Sequence, residues 1–177
     1  ISNNATAILS EYIGADLSRL ANELDKILLL IKKDDKITSK TIEDNVGISK
    51  DYNIFELQNA LGAKQVVKSN RIINHFSANT KTNNIVPIIS SLFSYFQKIM
   101  IYHFIHDKNP RNIASVLKVN PFFVKQYELS SRNYNKKQLF HIIEYIKDYD
   151  LKSKGINNKS TSQDGLLKEL IFKILNA

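Results

Sequence analysis

The residues that come closest to a metal-binding or catalytic set in this chain are His103, His106 and Asp107. Two histidines three positions apart lie on the same side of a helix and could both ligate a metal ion. A protein site needs further ligands, and no other His, Cys or pair of carboxylates lies at ligand spacing in the sequence. We therefore interpret the two histidines as the polar end of an apolar helix and predict no metal site.

The glycines and the absence of cysteine limit which other functional sites this sequence can form. The five glycines are too far apart to form the loops GxxxxGKS/T or GxGxxG that cradle phosphates. The sequence has no cysteine, which excludes disulfides, thiolate zinc ligands and thiol nucleophiles and suits the reducing cytoplasm. No serine has the local setting of a nucleophile. These residues therefore predict a cytoplasmic protein with no catalytic residues and no cofactor in this part of the chain.

Positive charge is concentrated in the second part of the chain. Residues 1–50 contain seven Lys or Arg and eight Asp or Glu, for a net charge of −1, whereas residues 51–177 contain eighteen and nine, for +9. The densest stretch, residues 108–137, would attract a phosphate backbone. Its candidate DNA-backbone contacts are Lys118, Lys125, Arg132, Lys136 and Lys137. A solvated surface explains the same charge without a partner, and charge alone favours that interpretation.

The first 50 residues have the pattern of three short helices. In residues 17–31 the apolar side chains follow the spacing of one helix side. They are Leu17, Leu20, Ala21, Leu24, Ile27, Leu28 and Ile31. Gly14 suits the end of a preceding helix over residues 5–13. Thr38 can cap a third helix, which Gly47 closes.

A polar stretch, residues 49–51, marks the predicted boundary between a domain of residues 1–50 and one of residues 51–177. Asn53 and Glu56 follow it with the spacing of a capping box, which predicts a helix start. Downstream, Asn109-Pro110 and Asn120-Pro121 each combine a cap with Pro at the first helical position, and Ser162 caps a last helix.

Other amphipathic helices are predicted over residues 64–78, 84–106 and 136–149, with a loop over residues 156–164. No segment has the apolar-polar alternation of a strand. The predicted fold class is therefore all-α, with a small three-helix part followed by a larger helical domain.

The helix predicted over residues 84–106 is apolar nearly all round, which is typical of a central helix or of one shared with another subunit. A membrane span is disfavoured because Ser90, Gln97 and Lys98 would be costly in hydrocarbon. One ridge of side chains spaced three or four apart either fills the core, which is the preferred interpretation, or is a candidate subunit interface. It consists of Phe93, Phe96, Met100 and Phe104.

Four groups of residues, taken in order, are similar to a known family. They are residues 14–27 (GADLSRLANELDKI), 51–61 (DYNIFELQNAL), 113–125 (IASVLKVNPFFVK) and 149–155 (YDLKSKG). In this order and spacing they resemble the DNA polymerase III delta subunit family of bacterial clamp loaders, over essentially the whole chain. The linker after Gly155, rich in Asn, Ser and Lys, departs from the family pattern.

The resemblance implies a structural role. Residues 1–50 would be the end of an AAA+ lid domain, and residues 51–177 a collar domain that joins the loader subunits in a ring. The implied partners are the other clamp-loader subunits of a hetero-pentamer, while the sliding clamp is implied to bind an N-terminal domain that these residues do not match. The family belongs to the DNA polymerase III holoenzyme, a DNA-directed DNA polymerase, but no catalytic residue is implied here. The alternative function is a helical nucleic-acid-binding module that uses residues 108–137.

Overall fold

A computed structural model of the chain describes residues 1–13, 17–32, 35–46, 53–78, 84–158 and 160–177. All regular secondary structure in these residues is helical, which confirms the predicted all-α class. They form two compact units, Ile1–Asn53 and Ile54–Ala177, called unit 1 and unit 2 below. The predicted boundary at residues 49–51 and the predicted helix ends at Gly14 and Gly47 lie outside the described residues.

The described residues of unit 1 form three helices: α1 (Asn3–Ile13), α2 (Leu17–Leu30) and α3 (Ser39–Asn45). The start of α3 is capped as predicted, because the Thr38 hydroxyl accepts from the Thr41 amide at 3.3 Å. Unit 1 buries only part of the predicted apolar side of α2. Ile27 is buried and packs in the core, whereas Leu17 is 75% exposed and Leu28 is 58% exposed.

Unit 2 contains seven α-helices and one 3-10 turn among its described residues. They are α4 (Ile54–Gly62), α5 (Val66–Ala78), α6 (Ile85–Tyr102), α7 (Pro110–Leu117), a 3-10 turn (Pro121–Phe123), α8 (Val124–Asn133), α9 (Lys136–Ser153) and α10 (Gln163–Leu175). Asn109 and Asn120 cap their segments as predicted. The side-chain oxygen of each accepts a hydrogen bond from the backbone amide two residues later, at 3.0 Å. Ser162 caps α10.

Helix α6 is the central helix of unit 2. It packs against α4, α7, α8, α9 and α10 and buries Ile88, Leu92, Tyr95, Phe96 and Ile99 among others. By length and composition α6 could also cross a membrane, but the buried core helix of a globular domain passes the same test. Its apolar character is accounted for by these packing contacts.

Helix α6 ends earlier than predicted, so Phe104 lies beyond it. The turn that follows is tightened, with the Phe104 amide bonded to the Ile101 carbonyl at 2.9 Å. The Lys108 ammonium donates to the Tyr102 carbonyl at 2.6 Å and lies 3.9 Å from the centre of the Tyr102 ring. These contacts satisfy carbonyls that the last turn of a helix leaves without partners.

A buried hydrogen-bond chain joins α6 to α8. The Ser130 hydroxyl donates to the Gln126 carbonyl at 2.8 Å, so it accepts from the Tyr95 hydroxyl at 2.7 Å. Tyr95 and Ser130 are both almost completely buried. A buried hydroxyl without such a partner would be costly, so this chain fixes how the two helices pack.

The carboxyl end of α4 is held by the side chains of the last residue of α8 and of the residue after it. The Tyr134 hydroxyl donates to the Leu61 carbonyl and the Asn133 amide to the Gly62 carbonyl, both at 2.8 Å. These carbonyls belong to the last turn of α4, where helix geometry supplies few partners. The sequence-distant Tyr134 therefore orients α4 against the core.

We expect unit 2 to lose stability above pH 10. Burial raises the pKa of Tyr95 to about 12, and burial with the Glu169 bond raises that of Tyr149 to about 12; burial also raises the pKa of Tyr134. Unfolded phenols titrate near pH 10, so between pH 10 and 12 the unfolded state releases protons that the folded state retains. Each phenol then lowers the free energy of unfolding by about 1.4 kcal/mol per pH unit.

Urea unfolding at pH 9, 10, 10.5 and 11 measures this slope. At pH 9 these phenols are almost entirely neutral in both states, so this pH is the reference from which the loss is measured. Tyr95→Phe should reduce the slope by about one phenol's share, whatever its effect on stability at pH 9. A free energy of unfolding that stays constant from pH 9 to 11 would contradict the expectation.

Candidate subunit interface and basic segment

The structure divides the ridge predicted as core or interface, and Phe96 packs in the core. Its side chain is 0% exposed, and its ring makes edge-on contacts with Tyr95 at 5.3 Å and Tyr134 at 5.6 Å between ring centres. Of the two predicted locations, the core and a subunit interface, Phe96 therefore lies in the core. Phe93 and Phe104 are 39% and 60% exposed, while Met100 is half-buried against the core.

The reason for this division is helix geometry. Three residues advance about 300° around a helix, so Phe96 lies about 60° from Phe93, toward the core. The exposed side of α6 follows a different register: Val86, Ser90, Phe93, Gln97 and Ile101. The signal for this register was present in the sequence, because Ser90 and Gln97 are the polar positions that a buried side would exclude.

Helix α9 runs antiparallel to α6 beside this exposed row. At one end Lys136, the first residue of α9, lies with its ammonium 4.4 Å from the centre of the Phe104 ring. At the other end Val86, near the start of α6, and Lys154, just past α9, line the same groove. The outer side of α9 carries a row spaced by three or four residues: Lys136, Phe140, Ile143, Lys147, Asp150 and Lys154.

The two rows border a groove of about 410 Å³ at the end distant from Phe104. Its lining residues are Val86, Ile89, Ser90, Phe93, Ile146, Lys147, Asp150 and Lys154. Asp150 accepts from Lys154 at 2.6 Å, whereas Lys147 forms no ion pair with any described residue. We call the groove and the two rows the α6–α9 seam: an apolar floor with lysines along one edge.

The basic segment is spread over several elements. Lys118 ends α7 in a left-handed conformation, with φ of 52°, and Lys125 and Arg132 lie seven residues apart on the exposed side of α8. Arg132 pairs with Glu128 at 2.5 Å, and Lys136 contacts Phe104. Lys118, Lys125 and Lys137 form no ion pair within the described part of the chain. The five cations therefore lie on or next to three different helices, and DNA contact stays a prediction.

His103 and Asp107, two of the three residues considered above as metal ligands, have structural contacts. The His103 ring bonds through Nε2 to the Tyr134 carbonyl at 2.8 Å. Asp107 accepts from the Asn109 amide at 2.9 Å and so shapes the turn before α7. Among the described residues no group of three His, Cys, Asp or Glu side chains is arranged to hold a metal ion.

The described residues define an all-helical protein that exposes apolar side chains along the α6–α9 seam. The chain belongs to the DNA polymerase III delta subunit family: the family described as "DNA polymerase III delta subunit, C-terminal domain" matches residues 51–172. This confirms the resemblance seen in the sequence. The family's description names a subunit of DNA polymerase III, which is a component and not itself the polymerase.

Two relatives from Bacillus subtilis are similar over almost the whole chain. The DNA polymerase III subunit delta of strain 168 is 28% identical over 174 residues, which are 97% of this chain and 50% of that protein. The solved structure of the DNA clamp loader delta protein has a TM-score of 0.67 at 23% identity, over 99% of this chain and 51% of that one. The structural match shows a shared fold, and the chain spans about half the length of both relatives.

Proposed function

We propose that this chain is the carboxyl-terminal part of a clamp-loader subunit and that unit 2 joins it to the other loader subunits in the cytoplasm. In this proposal unit 2 is the collar domain and unit 1 is the end of the AAA+ lid domain. Contact with the sliding clamp, and its opening, are assigned to the half of the relatives that this chain does not match. The chain itself acts by assembly and not by catalysis.

The observation that carries the proposal is the α6–α9 seam. Exposed apolar surface that continues along two packed helices is typical of protein interaction sites, because water contact with it is unfavourable. Phe93 and Phe104 expose aromatic surface next to a complete, well-packed core, so unit 2 does not need them for its own folding. Aromatic side chains of this kind are enriched in subunit interfaces.

Contact of the basic segment with DNA is the second candidate, and one observation supports it. Lys125 and Lys137 are exposed and form no ion pair with described residues, so both could neutralise phosphates. Arg132 and Lys136 already have partners within the chain, which lowers the charge available to DNA. Assembly therefore remains the primary proposal.

Mixing the chain with the other clamp-loader subunits of its organism tests the assembly role. We expect a specific complex with one copy of this 20.3 kDa chain, detected as a larger mass in sedimentation and light scattering. The controls are the chain alone and the remaining subunits alone. A chain that sediments at its own mass, while the remaining subunits assemble normally, would contradict the proposed role.

A further inference from the structure

The proposed function leaves open how the α6–α9 seam meets a partner and what that partner presents. We propose that the α6–α9 seam is the docking site for an amphipathic helix of a neighbouring clamp-loader subunit, with an apolar face and an acidic flank. This inference rests on the proposed function and specifies both the surface and the chemistry of the partner. It is independent of the basic segment on α8.

The shape of the seam suits a helix. Two antiparallel helices leave a furrow between them into which a third helix packs, as in helical bundles. Helix α6 has 18 residues, so at 1.5 Å per residue the seam is about 27 Å long. That length accommodates several turns of a partner helix, whose apolar residues recur every three or four positions.

Most side chains of the floor and the α6 wall of the seam are apolar, and Ser90 and Gln97 are the polar positions of that wall. Ile89 and Ile146 lie at the floor of its groove as almost completely buried side chains, and Val86 and Phe93 stand partly exposed at its wall. Farther along, Ile101 and Phe140 are exposed on the facing rows. A partner that covers these side chains must itself be apolar there, since a polar group buried against them without a hydrogen bond would be unfavourable.

The edge of the seam formed by α9 is positively charged. Lys136, Lys147 and Lys154 lie eleven and seven residues apart on the same side of the helix. Asp150 is the single acidic residue in this row, and Lys154 already pairs with it. Lys147 is exposed and has no ion-pair partner among the described residues, so the edge is complementary to an acidic flank.

Two other occupants fit the seam less well. A second copy of this chain, related by a two-fold axis, would bring lysine-edged seams together, and residues 51–177 already carry a net charge of +9. A phosphate backbone would complement the lysines but not the apolar floor of Ile89 and Ile146. The observations therefore favour a partner helix that has both an apolar face and acidic residues.

Two seam variants and two matched controls test the inference. Lys147→Glu reverses the charge of the lysine that has no ion-pair partner at the edge of the seam. Phe93→Asp places a charge in the wall of the seam. Lys40→Glu on α3 and Phe172→Asp on α10 make the same exchanges at exposed positions outside the seam. Thermal unfolding of each variant checks that folding is retained, and Lys147→Glu keeps the test valid if Phe93→Asp unfolds.

Association with the other clamp-loader subunits is then measured by sedimentation at two salt concentrations. We expect Lys147→Glu to weaken association by about tenfold at low salt, with a smaller loss at high salt, and Phe93→Asp to abolish it. The two controls should stay within about twofold of the parent chain. This pattern would support the seam as the docking site.

Each other outcome overturns the inference in a distinguishable way. If the parent chain assembles and the seam variants assemble equally well, the seam is not the site while the assembly role stands. If the parent chain itself fails to assemble, the proposed function fails and the inference with it. Seam-dependent self-association of the chain alone would identify a second copy as the occupant, and seam-dependent binding of a fluorescent single-stranded oligonucleotide would identify nucleic acid.

Discussion

Gly62→Ala is expected to lower the free energy of unfolding of unit 2 by about 2–4 kcal/mol, the sum of an overpacking cost and a damaged buried hydrogen bond. A Cβ at this position would lie 2.1 Å from the Tyr95 hydroxyl oxygen and 2.2 Å from Ser130 Oγ. Those two atoms are hydrogen-bonded to each other in the core. The methyl group therefore cannot enter unless α4 moves or the bond breaks.

Chemical denaturation of the variant and its parent measures this effect, and Gly165→Ala is the matched control. Gly165 lies in the first turn of α10, where the nearest neighbour of an added Cβ is the Thr161 side-chain methyl group at 3.1 Å. Because Ala has the higher helix propensity, Gly165→Ala should be neutral or stabilising. A Gly62→Ala protein as stable as its parent would show that α4 does not pack as described.

Local signals in the sequence were sufficient for the element boundaries that depend on a few neighbouring residues. Asn109 and Asn120 begin their segments as predicted because the cap bond reaches only two residues along the chain. The central position of α6 was equally visible, since a helix that is apolar nearly all round has to be covered. These features depend on composition and spacing, which a sequence displays directly.

Contacts between distant segments were not visible in the same way. In the sequence Gly62 is one more small residue in a helix. Only the packing of α4 against α6 and α8 shows that there is no room for a side chain at this position. The seam likewise needs α6 and α9 to be neighbours, although Lys136, Lys147 and Lys154 already follow one helix side in the sequence. The spacing of the predicted ridge left open which of its members face outward, and the structure places Phe93 and Phe96 on different sides of α6.

Phe96→Asp is expected to abolish the folding of unit 2. Removing a buried Phe side chain costs about 3–5 kcal/mol. Placing a carboxylate in the same space adds the cost of an unpaired buried charge, and a small domain has only about 5–15 kcal/mol of stability in total. Phe96 is 0% exposed and contacts both Tyr95 and Tyr134, so the damage would reach the hydrogen bonds that join α4, α6 and α8.

Phe93→Asp, about one turn away on the same helix, is the matched comparison for Phe96→Asp. Phe93 is 39% exposed, so the same change there should leave a cooperatively folded protein and affect association instead. Far-ultraviolet circular dichroism with a thermal scan distinguishes the two, because loss of unit 2 removes most of the helical signal together with the transition. If Phe96→Asp melted cooperatively near the temperature of its parent, Phe96 would have to lie on the surface, and the division of α6 into a buried and an exposed side would be wrong.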